Sequence, residues 1–65
     1  MKITNKILEK FLKIANDYGE FVFGDKKQIK QQLEICLNSQ GYWSGTYYRF
    51  YYNDNIKDFY LESRF

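Results

Sequence analysis

The composition of this chain changes abruptly at Gly41, and that change limits the folds open to it. Before Gly41 the apolar residues recur at helical spacing, whereas from Tyr42 onward Tyr, Phe, Trp, Thr and Arg dominate, as in β-strands. A chain of 65 residues suits one domain. We therefore expect a single α+β domain over residues 1–65, with two helices and a short strand between them before Gly41 and an antiparallel hairpin at the C-terminal end.

Two amphipathic helices are predicted in the first part of the chain. The first spans residues 5–18, with Thr4 or Asn5 as its N-cap, because a side-chain oxygen there can accept from a free backbone N–H. The second spans residues 26–38, and Asp25 is its predicted N-cap. Each helix has one apolar stripe, so both should pack on the same sheet.

Strands are predicted between and after these helices. Residues 20–23 form a short run of aromatic and β-branched character, and residues 46–52 and 57–63 should pair as a hairpin around the turn at residues 53–55. A bulge or a second turn at Ser44 and Gly45 would let Trp43 start a strand of its own. The predicted order is α-β-α-β-β, with two helices packed on one face of a small antiparallel sheet.

The hairpin register follows from keeping one face apolar. A two-residue loop, or a four-residue loop over residues 53–56, sets Phe50 opposite Phe59, whereas a three-residue loop sets Phe50 opposite Asp58 and mixes the faces. The other predicted pairs are Tyr48 with Leu61 on the apolar face, and Tyr51 with Asp58, Arg49 with Tyr60 and Tyr47 with Glu62 on the outer face.

The residues that most catalytic sites need are missing. There is no His, and Cys36 lies on the apolar stripe of the second helix, where it is expected to be an inert core residue. No glycine-rich phosphate-binding motif is present. Asp54, Asp58 and Glu62 share one strand face and could hold a metal ion, but balancing Arg49 is the better interpretation. We expect no enzyme, no catalytic residue, no cofactor and no metal.

Aromatic side chains are in surplus for so small a core. Seven Tyr, six Phe and one Trp exceed what a domain that buries only about 60% of its unfolded surface can hide. Tyr and Arg are enriched at the hot spots of protein interfaces. The predicted partner-binding residues are therefore Tyr47, Arg49, Tyr51 and Tyr60 on the outer sheet face, with Trp43 as a possible anchor. A solvated face of stacked tyrosines, and a core position for Trp43, remain alternatives.

A second candidate surface is a lysine ridge on the first helix. On a helical wheel Lys6, Lys10 and Lys13 lie together with Lys2, opposite the apolar stripe. Such a ridge can contact phosphates or an acidic protein surface, although a solvated lysine face is the commoner arrangement. The net charge of only +2 does not favour a strongly basic nucleic-acid module.

These features favour a stoichiometric protein-binding module, most plausibly an inhibitor or adaptor. About half of the residues have AT-rich codons, which suggests an AT-rich bacterium or one of its phages or mobile elements. In general character the chain resembles small anti-defence proteins, anti-CRISPR inhibitors among them, although no motif carries that resemblance. The alternatives are a nucleic-acid binder that uses the tyrosine face with the lysine ridge, and a self-associating protein such as a homodimer.

The expected compartment is the cytoplasm. The single cysteine excludes an intramolecular disulfide, and no apolar run approaches the roughly 18 residues that a membrane span needs. The first residues also lack the apolar region of a secretory signal.

Overall fold

A computed structural model describes all 65 residues, and its two helices precede a three-stranded antiparallel sheet. The elements are α1 (Asn5–Asp17), α2 (Lys26–Ser39), β1 (Tyr42–Ser44), β2 (Tyr48–Asn53) and β3 (Asp58–Ser63). The strands lie in the order β1-β2-β3. The α+β class is confirmed, but the predicted order α-β-α-β-β is corrected to α-α-β-β-β.

The correction concerns residues 20–23, which do not form a strand. Glu20 is buried and binds the turn between β1 and β2, so the segment meets the end of the sheet instead of pairing along an edge. The third strand is supplied instead by Tyr42–Ser44, which pairs with β2. The prediction that Trp43 lies in a strand of its own is confirmed.

Both helices begin where the sequence places their caps. The Thr4 hydroxyl accepts from the Ile7 N–H at 3.2 Å. Asp25 and Gln28 form a reciprocal capping box, in which each side chain accepts from the other residue's backbone N–H. The helix boundaries differ from the predicted ones by a single residue at each C-terminal end.

The hairpin keeps the predicted faces but shifts the pairs by two residues. Phe50 faces Leu61 and Tyr52 faces Phe59, because the four-residue loop spans residues 54–57 rather than 53–56. Lys57 ends that loop with a positive φ of 52°, an uncommon conformation for a residue other than glycine. An even shift preserves the face of every side chain, so the predicted apolar face is retained although its predicted partners are wrong.

The core forms between the helices and the inner face of the sheet. Phe11 of α1 is its centre, and its ring lies 5.2 Å from Trp43, 5.7 Å from Phe50 and 5.5 Å from Phe59. Leu33 of α2 is fully buried in the same cluster. Tilted and edge-to-face aromatic contacts of this kind add about 0.5–1.5 kcal/mol each beyond the area they bury, which matters in a domain this small.

A buried carboxylate fixes the turn between β1 and β2. Glu20 is only 7% exposed, and its two oxygens accept three consecutive backbone N–H groups. The distances are 2.9 Å from Thr46, 2.6 Å from Tyr47 and 3.1 Å from Tyr48. Hydrogen bonds to a charged acceptor are stronger than neutral ones, so these three contacts offset the cost of burying the carboxylate.

The local chain conformation explains why this turn needs an external acceptor. Thr46 and Tyr47 form a two-residue connection, and Gly45 donates its N–H to the Tyr48 carbonyl at 2.8 Å. Such hairpins usually adopt primed turns with positive φ, yet neither Thr46 nor Tyr47 has a positive φ. Glu20 therefore takes the N–H groups that this turn leaves unpaired.

Two further residues complete the arrangement around Glu20. A Cβ added at Gly45 would lie 2.6 Å from a Glu20 carboxylate oxygen, so the absence of a side chain there lets the carboxylate approach. On the other side of the turn, the Arg64 guanidinium donates to the Gly45 carbonyl at 2.6 Å, and the Arg64 N–H donates to the Tyr47 carbonyl at 3.0 Å. An anion thus satisfies the N–H groups of the turn and a cation satisfies one of its carbonyls.

Replacing the carboxylate by an isosteric amide tests this assignment. We expect Glu20→Gln to lower the free energy of unfolding by about 2 kcal/mol, because the amide NH2 would face a backbone donor and leave it unpaired. The exposed Glu62 provides the matched control, and Glu62→Gln should change the same quantity by less than about 0.5 kcal/mol. Urea unfolding followed by Trp43 fluorescence measures both, and equal effects would contradict the assignment.

Candidate binding surface

The helices cover one face of the sheet and leave the other uncovered, and that outer face carries a row of tyrosines. Tyr42, Tyr51 and Tyr60 are in register across the three strands. Their ring centroids lie 5.4 Å apart between Tyr42 and Tyr51 and 5.2 Å apart between Tyr51 and Tyr60. We call these three residues the tyrosine row.

Arg49 lies beside the tyrosine row. Its guanidinium carbon is 4.9 Å from the centroid of the Tyr42 ring, a cation–π distance, and in the sheet it is directly opposite Glu62. Tyr47 precedes β2 and is 58% exposed. The predicted site residues Arg49, Tyr51 and Tyr60 therefore lie together with Tyr42 on one face, whereas Tyr47 lies in the turn before β2.

The orientation of the rings decides what this surface presents to a partner. The Tyr51 and Tyr60 rings are stacked, with only 11° between their planes. Because the two residues stand on neighbouring strands, one face of each ring is turned toward the other ring. The surface therefore offers tyrosine rings that are partly stacked on one another, together with one guanidinium.

Trp43 does not belong to this surface. Its ring contacts Phe11 at 5.2 Å and Phe50 at 5.8 Å, on the inner face of the sheet. It is half-buried at the border of the core. Of the two positions expected for Trp43, the structure therefore has the one at the core and not the exposed anchor, since successive residues of a strand point to opposite faces and Trp43 alternates with Tyr42.

The lysines of α1 lie away from the tyrosine row. The Lys10 ammonium donates to the Lys57 carbonyl at the β2–β3 loop, and Lys13 pairs with Asp17 at 3.1 Å. Lys6 is exposed, whereas Lys2 precedes the helix. Since α1 packs on the inner face, the lysine ridge and the tyrosine row do not form one continuous surface.

The remaining charged groups are dispersed. Lys26 pairs with Glu9 at 2.6 Å across the two helices, and both side chains are well exposed. Asp54 lies 3.9 Å from Lys57 in the loop, while Asp58 accepts from the N–H of the next residue. No group of three or more acidic, cysteine or histidine side chains is placed to hold a metal ion.

Two features of the structure have no clear signal in the sequence. Glu20 is predicted in a strand, but it is a buried carboxylate outside any strand, and no residue beside it in the sequence indicates that it accepts hydrogen bonds from a distant turn. Phe21 and Phe23 were expected in the same strand, but they are 73% and 81% exposed. Their aromatic character suggested pairing and gave no sign of this exposure.

Neither helix is long and apolar enough to span a membrane. No protein-family model, curated protein or solved structure matches this chain.

The different placements of Trp43 and Tyr60 have measurable consequences. Trp43→Ala removes core contacts and should lower the free energy of unfolding by about 3 kcal/mol. Tyr60→Ala removes a ring that is 42% exposed and only stacks on a neighbour, so it should cost about 1 kcal/mol or less. Guanidinium unfolding followed by far-ultraviolet circular dichroism compares the two, and a larger loss for Tyr60→Ala would contradict these placements.

Proposed function

We propose that this protein is a non-catalytic binding module that contacts another protein through the outer face of its sheet. The observation that carries the proposal is the uncovered tyrosine row with Arg49 beside it. Tyr and Arg supply large, rigid contact area with polar tips, and they are enriched among the residues that dominate protein–protein affinity. A partner that buries this face would also cover the exposed ring of Tyr47.

A protein partner fits this face better than a nucleic acid does. Single-strand binders present ring faces on which bases stack and a cationic groove that follows the backbone. Here one face of the Tyr51 ring and one face of the Tyr60 ring are stacked on each other and are not free for a base. Arg49 is also accompanied on this face by Glu62 and Asp58, so the charge there does not favour phosphate. The lysine ridge lies on the opposite layer.

A stoichiometric inhibitor or adaptor is the form of this function that we propose. The domain is small, and the Glu20 contacts hold the β1–β2 turn in one conformation, so little ordering is required when a partner binds. The AT-rich codon composition supports an origin in a phage or mobile element of an AT-rich bacterium. A target in a host defence system is consistent with that origin, and a cytoplasmic location follows from it.

The first experiment is capture of the partner. Tagged protein is incubated with lysate of an AT-rich bacterial host, with and without nuclease, and bound proteins are identified by mass spectrometry. The proposal predicts one near-stoichiometric protein that survives nuclease treatment. Capture that disappears with nuclease would contradict it and would support the nucleic-acid alternative.

Substitutions then locate the contact surface on the captured partner. Arg49→Ala and Tyr60→Ala should each weaken binding by about 30-fold, equivalent to roughly 2 kcal/mol. Lys6→Ala is the matched control, because it removes an exposed side chain from the other layer, and it should leave the affinity unchanged. Titration calorimetry measures all three. Loss of affinity with Lys6→Ala alone, together with a shallower salt dependence, would instead place the contact on the lysine ridge.

A further inference from the structure

The connection between the two helices has the side-chain pattern of a strand but no strand partner. Glu20 is buried, Phe21 is exposed, Val22 is half-buried and Phe23 is exposed. This alternation is that of an extended chain, in which successive side chains point to opposite sides. The Phe21 and Phe23 rings lie on one side, 4.6 Å apart.

The main chain of this connection is unpaired. No intramolecular hydrogen bond involves the backbone N–H or C=O of Phe21, Val22 or Phe23. Aromatic and β-branched residues favour strands, and unpaired N–H and C=O groups in an extended segment are a template for pairing with another chain. Residues 20–23, which the sequence predicts to be a strand, thus have the side-chain alternation of one, but no other strand of this chain pairs with them.

The side chains that line the depressions beside the two rings are uncharged, apart from the buried Glu20. Ile35 of α2 is 66% exposed and lines the same surface depression as Phe23, together with the neutral side chains of Gln28, Gln31 and Gln32. The one acid of the segment, Glu20, is buried and already bound to the β1–β2 turn. A second copy of this surface therefore meets mainly uncharged side chains, with Asp25 after the segment and Glu34 beside Ile35 as the acids at its margin.

We propose that residues 20–24 pair with the same residues of a second copy, as an antiparallel two-stranded ribbon that makes the protein a homodimer. Pairing about Val22 sets Phe21 of one copy opposite Phe23 of the other, so the ribbon is self-complementary. Aromatic cross-strand pairs of this kind are stabilising. The two-fold axis then brings Ile35 and its glutamine rim from both copies to the same seam.

The exposed apolar area corresponds to a weak dimer. With each large apolar side chain contributing on the order of 150–250 Å² when fully exposed, the three residues Phe21, Phe23 and Ile35 offer roughly 400 Å² per copy at their observed exposures. Two copies together offer roughly 800 Å² of apolar surface, which is below the about 1,200 Å² of specific, stable interfaces, and the main-chain hydrogen bonds of the ribbon add to it. The dimer should accordingly dissociate on dilution.

The dimer leaves both tyrosine rows free. Residues 20–24 lie beside the helices, with Phe21 next to Leu12 and Asn16 of α1 and Phe23 next to Gln28 of α2. The tyrosine row is on the uncovered face of the sheet. A homodimer built on this segment would therefore present two copies of that face, although the dimer does not depend on the proposed function of the row.

Sedimentation velocity of the full chain tests the proposal, over concentrations from about 5 µM to about 500 µM. The wild-type protein should shift with concentration from its monomer mass of 8.0 kDa to twice that mass. Phe23→Ser should raise the dimer dissociation constant by about 30-fold or more. Tyr60→Ser, which removes an exposed aromatic from the other face, is the matched control and should leave it unchanged.

Amide hydrogen exchange identifies the pairing itself. Because alternate residues of a strand direct their N–H groups toward a neighbouring strand, either the Val22 amide or the Phe21 and Phe23 amides should become protected as the concentration rises, and Phe23→Ser should abolish that protection. A wild-type protein that stays monomeric throughout the range would overturn the proposal, even if Phe23 were found to bind a different protein. A dimer that persists in Phe23→Ser, or that forms without protection of these amides, would overturn it as well.

Discussion

Three hydrogen bonds to one carboxylate hold this small fold together at its least regular point. Glu20 accepts from Thr46, Tyr47 and Tyr48, and through them it joins the end of α1 to the turn between β1 and β2. The turn has no positive φ that would give it a primed conformation, so its N–H groups depend on this acceptor. Burying a charge is costly unless it is fully hydrogen-bonded, and here the carboxylate has its partners.

The consequences of this contact extend to both surfaces of the molecule. It fixes the start of β2, from which Arg49 and Tyr51 project on the uncovered face, and it sets the register of β1 that brings Tyr42 into the row. It also holds the first residue of the connection at the end of the sheet, so that Phe21 and Phe23 project outward beside the helices. One buried acid thereby positions a candidate binding face and a candidate self-association segment on opposite layers.

Much of the fold follows from local signals in the sequence. The helix caps at Thr4 and Asp25 and the alternation of the hairpin faces are determined by residues close in the chain, and both were predicted. The partner of Phe50 was predicted wrongly, because a shift of two residues leaves every side chain on the same face and the apolar pattern is equally satisfied by both registers. The position of the loop decides between these registers, and the Asn and Asp residues at 53–55 suit a loop over residues 53–56 as well as one over residues 54–57.

The candidate site was predictable in part for the same reason. Strand parity was sufficient to group Arg49, Tyr51 and Tyr60, but it could not supply Tyr42, whose strand is only three residues long. Glu20 was beyond local reasoning, since its partners lie about 26 residues away and a glutamate is usually exposed. The extended character of residues 20–23 was recognised, whereas the absence of a partner strand depends on the tertiary arrangement.

The most direct test of this account is the exchange rate of the Thr46, Tyr47 and Tyr48 amide protons, measured by NMR in the dilute native protein. These residues lie in or next to an exposed turn, where exchange is ordinarily fast. If the Glu20 carboxylate binds all three N–H groups, they should exchange as slowly as the paired amides of β2, and Glu20→Gln should release them selectively. Exchange as fast as that of the β2–β3 loop amides in the wild-type protein would contradict the account.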